Sequence, residues 1–346
     1  MMMNNTLGRQ NAVAKRPTRD DVARHAGVSG WTVSHVLNGR QDGGIRAETR
    51  ERVLAAARQL RYQPNNVARA LVTGRFATIG LWMCLEFSQH RAHVLHRMQQ
   101  IMKNSGYEIV IRDIETEIAR DPHFSRAVQL PVDGIIAFDT PTAGTAFMRS
   151  DPSRQVPFVS MGAYWANDGD FVGVDLHAGT VDAMEHLIAV GRRKIAYLLP
   201  MVQDDWPVDP RTDAYLTTLK AHGLEPRFLW SPDVSLSLAR KSVCDYVAGG
   251  GEIDAVFCHN DDMAFGAYRA LCDMGIQVGR EVALVGCDGI EETGYLDCPL
   301  TTIMQPIEEM CELAWEFLRR RIEDPTCALQ QRILRPQLVV RASSPV

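Results

Sequence analysis

The sequence predicts an all-helical head near the N-terminus and a larger body of the doubly wound α/β class. Thr18 to Gly39 fits two short helices joined by a glycine turn, which is the helix-turn-helix pattern. From Thr78 onward, short apolar runs alternate with helical segments, as in doubly wound parallel sheets. Residues 1–75 carry 13 Lys and Arg against 5 Asp and Glu, and the remainder carries 24 against 37. The head therefore has a net charge of +8 and the body a net charge of −13.

Composition bounds the class of protein. The chain has 346 residues and 46% hydrophobic content, which is enough for a large core and for two or three domains. Residues 1–17 are polar and hold no apolar run of signal-peptide length, so we expect a disordered leader on a cytoplasmic protein with no membrane span. The eight cysteines form no Cys-x-x-Cys pair, which favours free thiols over a zinc module. The sequence implies no metal and no cofactor.

The first two helices are predicted from capping residues and a turn glycine. Thr18 can cap the first helix, with Asp21 completing an approximate capping box. Gly27 supplies the backbone freedom that a sharp bend needs, and Ser29 can cap the second helix. The second helix of such a pair lies in a DNA major groove. An ordinary helical hairpin within an enzyme is the alternative, and the basic charge of the head favours DNA binding.

A third helix and a linker follow. Glu48 to Arg61 carries a core-facing apolar stripe at helical spacing, and Tyr62 to Asn65 ends it with a proline. Residues 18–63 are therefore the predicted helix-turn-helix domain, and residues 64–75 a short helix with a linker.

The body is predicted from eight apolar runs that are typical of buried parallel strands. No Gly-x-Gly-x-x-Gly or Walker pattern follows any of them, so a nucleotide-dependent enzyme is poorly supported. The runs are ATIGLWMC, YEIVI, DGIIAF, PFVSM, FVGV, KIAYLL, AVFC and VALVG, and the helical stretches include His90 to Asn104, His177 to Val190, Arg211 to His222, Asp261 to Asp273 and Ile307 to Arg321.

Several consecutive motifs resemble the lac-repressor family of bacterial transcription regulators. In the head these are DVARHAGVS, TVSHVLN, TRERVLAAARQLRYQPN and NVARALVTGR. In the body they are VGVDLHAGTVDAMEHLIAVGRRKIAYL, HNDDMAFGAYRAL, VGCDG and PLTTIMQ. The resemblance covers essentially everything after residue 17.

This resemblance implies a periplasmic-binding-protein-like body, in which two doubly wound α/β subdomains are joined by three crossovers around a ligand cleft. We expect the crossovers near Met161-Gly162, Thr302 to Gln305 and Glu323 to Pro325. Residues 76–346 would then form the effector-binding and dimerisation domain. Its first subdomain would span 76–162 and 305–324, and its second 163–302 and 326–342.

The resemblance places the base-reading residues at the start of the second helix and one turn along, at Gly30, Trp31 and His35. The Trp31 ring can contact a thymine methyl, and the alternative is a ring packed against the third helix. Residues 64–75 would be a hinge helix that folds on DNA as a dimer pair, with Leu71 wedged into a minor-groove base step. The expected DNA contacts are Thr18, Ser29, Gly30, Trp31, Thr32, Ser34, His35, Asn38, Asn66, Val67, Arg69 and Leu71.

Ligands in parallel sheets bind beyond the carboxyl ends of the strands. By resemblance, Arg211 and Asp288 contact the effector, and the alternative is that they only pair with each other. Aromatic rings offer stacking surfaces for a ligand, although each ring, taken singly, fits a core or rim position better. Gly289 departs from the family, which usually has a second Asp there. The expected effector contacts are Phe87, Phe138, Trp165, Arg211, Trp230, Asn260, Asp288 and Gln305.

Two further patterns fit either a chemical role or a purely structural one. His90, His93 and His96 recur every three residues on one helix, which suggests either a metal-binding face or a solvated or dimer-facing stripe. Asp261-Asp262 resembles an acid pair, but carboxylates are also favoured at a helix N-terminus.

The resemblance implies a transcription repressor that is not an enzyme. Its affinity for a palindromic double-stranded DNA operator would be controlled by a small-molecule effector, with a sugar as the favoured class. Two heads match a symmetric operator, so we expect a homodimer, with a tetramer as the alternative. An activator or a nucleobase-responsive regulator of the same architecture is a second hypothesis. A sugar-modifying enzyme with a DNA-binding head is a third, but no nucleophile-base pair or metal set supports it.

Overall fold

The computed structural model describes residues 17–37, 44–62, 74–84, 86, 88–114, 131–150, 156–201 and 209–345. Contacts divide the chain into two compact units, Met1–Phe76 and Ala77–Val346. All eight cysteines are free thiols, as the sequence predicts. Within the described ranges, no helix is both long and apolar enough to cross a membrane.

The first unit holds α1 (Arg19–Ala26), α2 (Gly30–Leu37) and α3 (Ala47–Gln59). Their apolar faces meet in a small core that includes Val22 and Val53. This arrangement confirms the helix-turn-helix prediction. The third helix begins one residue before its predicted start and ends two residues before its predicted end.

A reciprocal cap and a left-handed glycine bound α1. The Asp21 amide donates to the Thr18 hydroxyl over 3.3 Å, and the Asp21 carboxylate accepts from the Thr18 amide over 2.9 Å. Gly27 follows the helix with φ +64°, a conformation in which a side chain is strained. Both features are predictable from the sequence because they depend on local residue types.

The second unit alternates strands and helices, as predicted. In chain order its elements are β1 (Thr78–Trp82), α4 (Gln89–Ser105), β2 (Glu108–Arg112), β3 (Gly134–Phe138), α5 (Pro141–Met148), β4 (Phe158–Gly162), β5 (Asp170–Val174), α6 (Leu176–Ala189), β6 (Ile195–Pro200), α7 (Pro210–Ala221), β7 (Arg227–Ser231), α8 (Leu236–Ala248), β8 (Ala255–Cys258), α9 (Asp261–Asp273), β9 (Ala283–Asp288), a 3₁₀ turn (Glu291–Tyr295), β10 (Thr301–Met304), α10 (Ile307–Glu323), β11 (Gln331–Leu334) and β12 (Gln337–Val339).

The strands form two six-stranded sheets. Sheet one has the order β11-β5-β4-β3-β1-β2, and its paired strands are parallel. Sheet two has the order β12-β10-β9-β8-β6-β7 and is parallel except for the β10–β12 pair. Because the parallel strands of each sheet point the same way, the loops that follow them gather at one edge.

Two of the three expected crossovers are misplaced in the sequence prediction. The crossover expected near Met161-Gly162 comes one strand later, between Val174 and Leu176, because β5 pairs with β4 in sheet one. The crossover expected near Glu323 to Pro325 falls after β11, which pairs with β5. The middle crossover does follow β10, since the next helix, α10, packs on β3, β4 and β5.

The subdomain bounds shift accordingly. Residues 163–175 and 326–334 were expected in the second subdomain, but β5 and β11 lie within them and belong to sheet one. Short strands at sheet edges carry little apolar signal, and three of the four β11 residues are exposed. Pairing with a neighbour, rather than local sequence, decides where such strands belong.

Candidate functional site

The start of α2 presents an exposed aromatic pair. The Trp31 side chain is 59% exposed, and its ring stacks on His35 one turn along the same helix, with centroids 4.1 Å apart and an interplanar angle of 28°. The alternative position of this ring, packed against α3, is not observed. The Thr32 amide donates to the Ser29 hydroxyl over 3.2 Å, which caps the helix as predicted.

The remaining expected DNA contacts divide into two groups. Thr18 is exposed at the start of α1, where its hydroxyl takes part in the cap, and Ser34 is half-buried on α2. The others lie outside the described residues: Asn38, Asn66, Val67, Arg69 and Leu71.

A second cluster of polar side chains forms where strands of both sheets end. From sheet one it receives Asp139, directly after β3, and Tyr164, two residues after β4. From sheet two it receives Asp288, which ends β9, and Gln305, which follows β10. We call these four residues, together with Asp209, Arg211 and His259, the cleft cluster. Its place at the carboxyl ends of the strands is the one that the sequence predicts.

Arg211 is the most heavily bonded member of the cleft cluster. The side chain is 4% exposed, and its guanidinium forms a bidentate ion pair with Asp209 at 3.0 and 2.9 Å. It also donates to the Tyr164 hydroxyl over 2.7 Å and to the His259 carbonyl oxygen over 2.5 Å. Tyr164 in turn donates to Asp209 over 2.5 Å. These bonds join a loop of sheet one to the start of α7.

The ion pair sets the charges of these groups. Burial acts to raise the pKa of Asp209, but the Arg211 and His259 side chains hold it well below its usual value. Burial and the nearby Arg211 charge lower the pKa of His259 to about 3, so the ring is neutral at physiological pH. Its Nε2 lies 2.9 Å from the Arg211 guanidinium, which only donates, so the proton is on Nδ1.

The alternative supposed that Asp288 pairs with Arg211, and the structure does not show this pair. One of its carboxylate oxygens accepts from the Gln305 amide over 2.9 Å. Burial raises the pKa of Asp288, and Arg211 opposes that shift through space. The Asp288 backbone has φ 133°, which is unusual outside glycine.

The next residue, Gly289, explains one departure from the family pattern. Its φ is +78°, and a Cβ there would lie 2.5 Å from the Met304 Cα. A second Asp at this position would therefore clash with the backbone of β10.

The adjacent acidic residues Asp261 and Asp262 begin α9 as predicted. Asp261 is fully buried and accepts from the amides of Gly289 and Ile290 and from the Thr302 hydroxyl, at 2.7 to 3.0 Å. It therefore anchors the loop after β9. Asp262 faces the beginning of α4, where Ser88 and Gln89 donors oppose the rise in its pKa that burial causes.

Asn260 and the expected aromatic contacts occupy four different environments. Asn260 caps α9 by accepting from the Met263 amide over 2.8 Å. Phe138 is a core residue, 1% exposed, so its ring does not face a solvent-open cleft. Trp165 stacks on Phe171 over the β5 backbone.

Trp230 is the remaining described ring. It is 48% exposed on β7, which is the outer strand of sheet two, and it stacks on Phe228. The structure gives it no contact with the cleft cluster within the described residues. Phe87 lies outside the described residues.

The three regularly spaced histidines do not share a face. His90 is buried, and its ring centroid lies 5.7 Å from that of Phe138. His93 pairs with Glu308, and His96 contacts Gln100. Within the described part of the chain, no group of three or more His, Cys, Asp or Glu side chains is arranged to hold a metal ion. The expected solvated stripe is wrong for His90.

Sequence reasoning missed four members of the cleft cluster. Asp209 stands two residues before Arg211, a spacing that allows a cap and an ion pair on one turn. Asp139, Tyr164 and His259 each lie within a few residues of a strand end. A position near the end of a strand or helix is the only sequence signal that these residues share. Many other residues share it, and only the fold decides which of them point into the cleft.

Comparison with known proteins supports both parts of this description. Residues 18–65 match the family described as bacterial regulatory proteins, lacI family, and residues 184–344 match a periplasmic binding protein-like domain. The chain is 31% identical over 340 residues to the ribose operon repressor of Escherichia coli strain K12, covering 94% of this chain and 99% of that protein.

Two solved structures resemble the whole chain. A Lac repressor bound to ONPG in the repressed state is 25% identical with a TM-score of 0.76, covering 95% of this chain and all of that one. A complex of the transcriptional regulator CelR with cellobiose is 26% identical with a TM-score of 0.65, at the same coverage. With a relative above 30% identity along nearly its full length, the chain belongs to the lacI family of bacterial regulatory proteins.

Proposed function

We propose that the protein is a homodimeric transcription repressor of the cytoplasm, which binds a palindromic DNA operator and answers to a small-molecule effector, most simply a sugar. The observation that carries the proposal is the set of hydrogen bonds by which Tyr164 joins Asp209 and Arg211. These bonds connect the two halves of the body at the strand ends where effectors of such folds bind.

The head supports the DNA-binding part of the proposal. Its net charge of +8 favours phosphate contact, and the exposed ring of Trp31 stacks on His35 at the start of α2. A stacked pair restricts the rotamers of both rings before DNA arrives, which favours base reading by His35. The ribose operon repressor among the relatives supports repression rather than activation of transcription.

The cleft cluster supports control by a ligand. A molecule bound beside Arg211 would touch groups from both sheets, so it would bind their open and closed arrangements unequally. Only such a difference in affinity can shift the arrangement of the halves and thereby operator affinity. A ribose operon repressor and a cellobiose complex among the similar proteins support a sugar as the effector class.

The test is a titration of a palindromic operator, selected from a random DNA library, with and without a panel of sugars. We expect selective binding, and one sugar should change operator affinity by roughly 5- to 150-fold. Binding without sequence preference would contradict the DNA-binding proposal. An operator affinity that no small molecule changes would contradict the effector proposal.

The His35→Ala variant sharpens the DNA part. It should lose about 1–3 kcal/mol of operator binding and relax the preference at one base pair in each half-site. His96→Ala is the matched control, because His96 lies on the body surface. An unchanged base preference in His35→Ala would show that the reading face lies elsewhere.

A further inference from the structure

The cleft cluster contains more carboxylates than cations. Asp288 is buried, Asp139 and Asp209 are half-buried, and the buried Asp262 lies at the same edge. Within the described residues, the ion pairs include none to Asp139 or Asp288. Asp139 accepts from the Tyr164 amide over 3.0 Å, and Asp288 accepts from Gln305, which is uncharged.

Arg211 offsets the charge of Asp288 only in part, and Arg91 acts in the same way on Asp139. The Arg211 Nε and one terminal nitrogen bind Asp209, and its other terminal nitrogen binds the His259 carbonyl oxygen. The hydrogens of the guanidinium are thus largely committed to partners within the protein. No arginine or lysine of the described residues forms an ion pair with either carboxylate, and burial raises the pKa of both. A positive charge brought by a ligand would stabilise their charged forms, so the site favours a cationic ligand.

Unpartnered polar atoms indicate that a polar ligand belongs here. Both ring nitrogens of His90 and the hydroxyl of Thr140 are buried, and none of the three has a hydrogen-bond partner among the described residues. The His90 ring packs on Phe138 and interacts electrostatically with the Asp139 carboxylate, and Thr140 is the next residue of the same loop. Buried polar atoms without partners are rare in folded proteins, because each loses its hydration with no compensation.

We propose that the effector is a polyhydroxylated amine of the amino-sugar class, whose ammonium group is paired by the carboxylates of Asp139 and Asp288. The hydroxyls of the ligand satisfy His90 and Thr140. The inference rests on the proposed effector-controlled function and specifies the ligand of the same site. A phosphorylated or carboxylated sugar is excluded, because its negative charge meets Asp139 and Asp288 while Arg211 remains bound to Asp209.

The first test measures the thermal stability of the full chain with matched sugars. The sets are D-glucose, D-glucosamine and D-glucose 6-phosphate, and the corresponding members of the galactose and mannose series. We expect at least one amine to raise Tm in a concentration-dependent way, by roughly 5 °C near a hundred times its dissociation constant. Its neutral and phosphorylated counterparts should have much smaller effects.

Each other result overturns the inference. If a neutral or phosphorylated sugar stabilises the protein as well as its amine does, charge pairing is absent. If no amine of the panel stabilises the protein, the inference is also wrong. If a neutral sugar alone shifts Tm and changes operator affinity, the proposed function stands while the amine inference falls. If operator affinity responds to no small molecule, the proposed function falls as well.

The second test uses charge-removing variants. Asp139→Asn and Asp288→Asn should abolish the amine-induced rise in Tm while leaving the ligand-free Tm unchanged or higher, because each removes a carboxyl group whose charged form burial disfavours. Asp261→Asn is the matched control, since the Asp261 carboxylate accepts three hydrogen bonds within the protein. It should lower the ligand-free Tm but keep the amine response. An amine response that survives in both cleft variants contradicts the inference.

Discussion

Burial of the His90 imidazole links the stability of the body to pH. Burial lowers the pKa of His90 to about 4, whereas a histidine in an unfolded chain titrates near about 6.5. As pH falls below 6.5, the unfolded state gains a proton that the folded state does not accept until about pH 4. The wild-type protein therefore loses stability over that window, by roughly 2 kcal/mol at pH 5 from this one ring.

The His90→Gln variant removes the titrating ring and keeps a polar side chain of similar size. Its Tm relative to wild type should rise by roughly 5 °C between about pH 7.5 and pH 5. Asp288, whose pKa burial raises, has the opposite pH slope, but it is present in both proteins and cancels in the comparison. The exposed His177, paired with Asp213, provides a control in His177→Gln. A Tm difference that is flat with pH would contradict the argument.

The sequence predicted which residues lie at the cleft better than it predicted the partners of those residues. The sequence placed Arg211, Asp288 and Gln305 at the correct edge of the sheets, because a position after an apolar run is a local property. It did not reveal that Arg211 pairs with Asp209 and Tyr164, because Tyr164 comes from the other sheet, 47 positions away. Such partners follow from topology, which local patterns do not contain.

At the scale of the element, the bend between α1 and α2 depends on Gly27. Its φ of +64° would strain any side chain, although a Cβ there meets nothing within 4 Å. Gly27→Ala should therefore destabilise the head by about 1 kcal/mol through backbone strain alone. Hydrogen exchange of the α1 amides in the full chain measures the effect.

Gly30 provides the matched control within the same motif. It lies inside α2, and an added Cβ would meet only the flexible end of the Arg19 side chain. Gly30→Ala should leave exchange unchanged or slow it, because alanine favours helix. If both variants speed exchange equally, the left-handed conformation of Gly27 is not what determines stability.

Strands were predictable to the extent that they form continuous apolar runs, which even the partly exposed β2 does. The strands β3, β4 and β8 are buried at every position and were predicted from continuous apolar runs. Four strands of the described residues were missed. The peripheral strands β7, β11 and β12 contain exposed residues that dilute the apolar pattern, and β10 is largely buried but begins with two threonines. Edge strands are held by backbone hydrogen bonds to a neighbour, and any sequence can supply those bonds.

At the scale of the whole molecule, charge separates the functions of the two units. Residues 1–75 carry +8 and the remainder −13, so operator affinity should depend steeply on salt. For 6 to 10 phosphate contacts, the expected loss is roughly 10³- to 10⁵-fold between about 50 and 200 mM salt.

A truncated chain of residues 77–346 should bind no DNA at any salt concentration in the same titration. Its circular dichroism spectrum and ligand-induced Tm shift should match those of the full chain, which serves as the folding control. DNA binding by the truncated chain, or salt-independent binding by the full chain, would contradict this division.

The last two strands of the chain have a consequence for biosynthesis. β11 is one of the two outer strands of sheet one, and β12, which begins three residues later, is the outer strand of sheet two opposite β7. Neither sheet is complete until residues 331–339 have left the ribosome, and a nascent body exposes unpaired edges of β5 and β10 until then. A premature stop codon near residue 326 would thus remove one outer strand from each sheet. We expect such truncated chains to be targets for chaperones and proteases rather than partly active regulators.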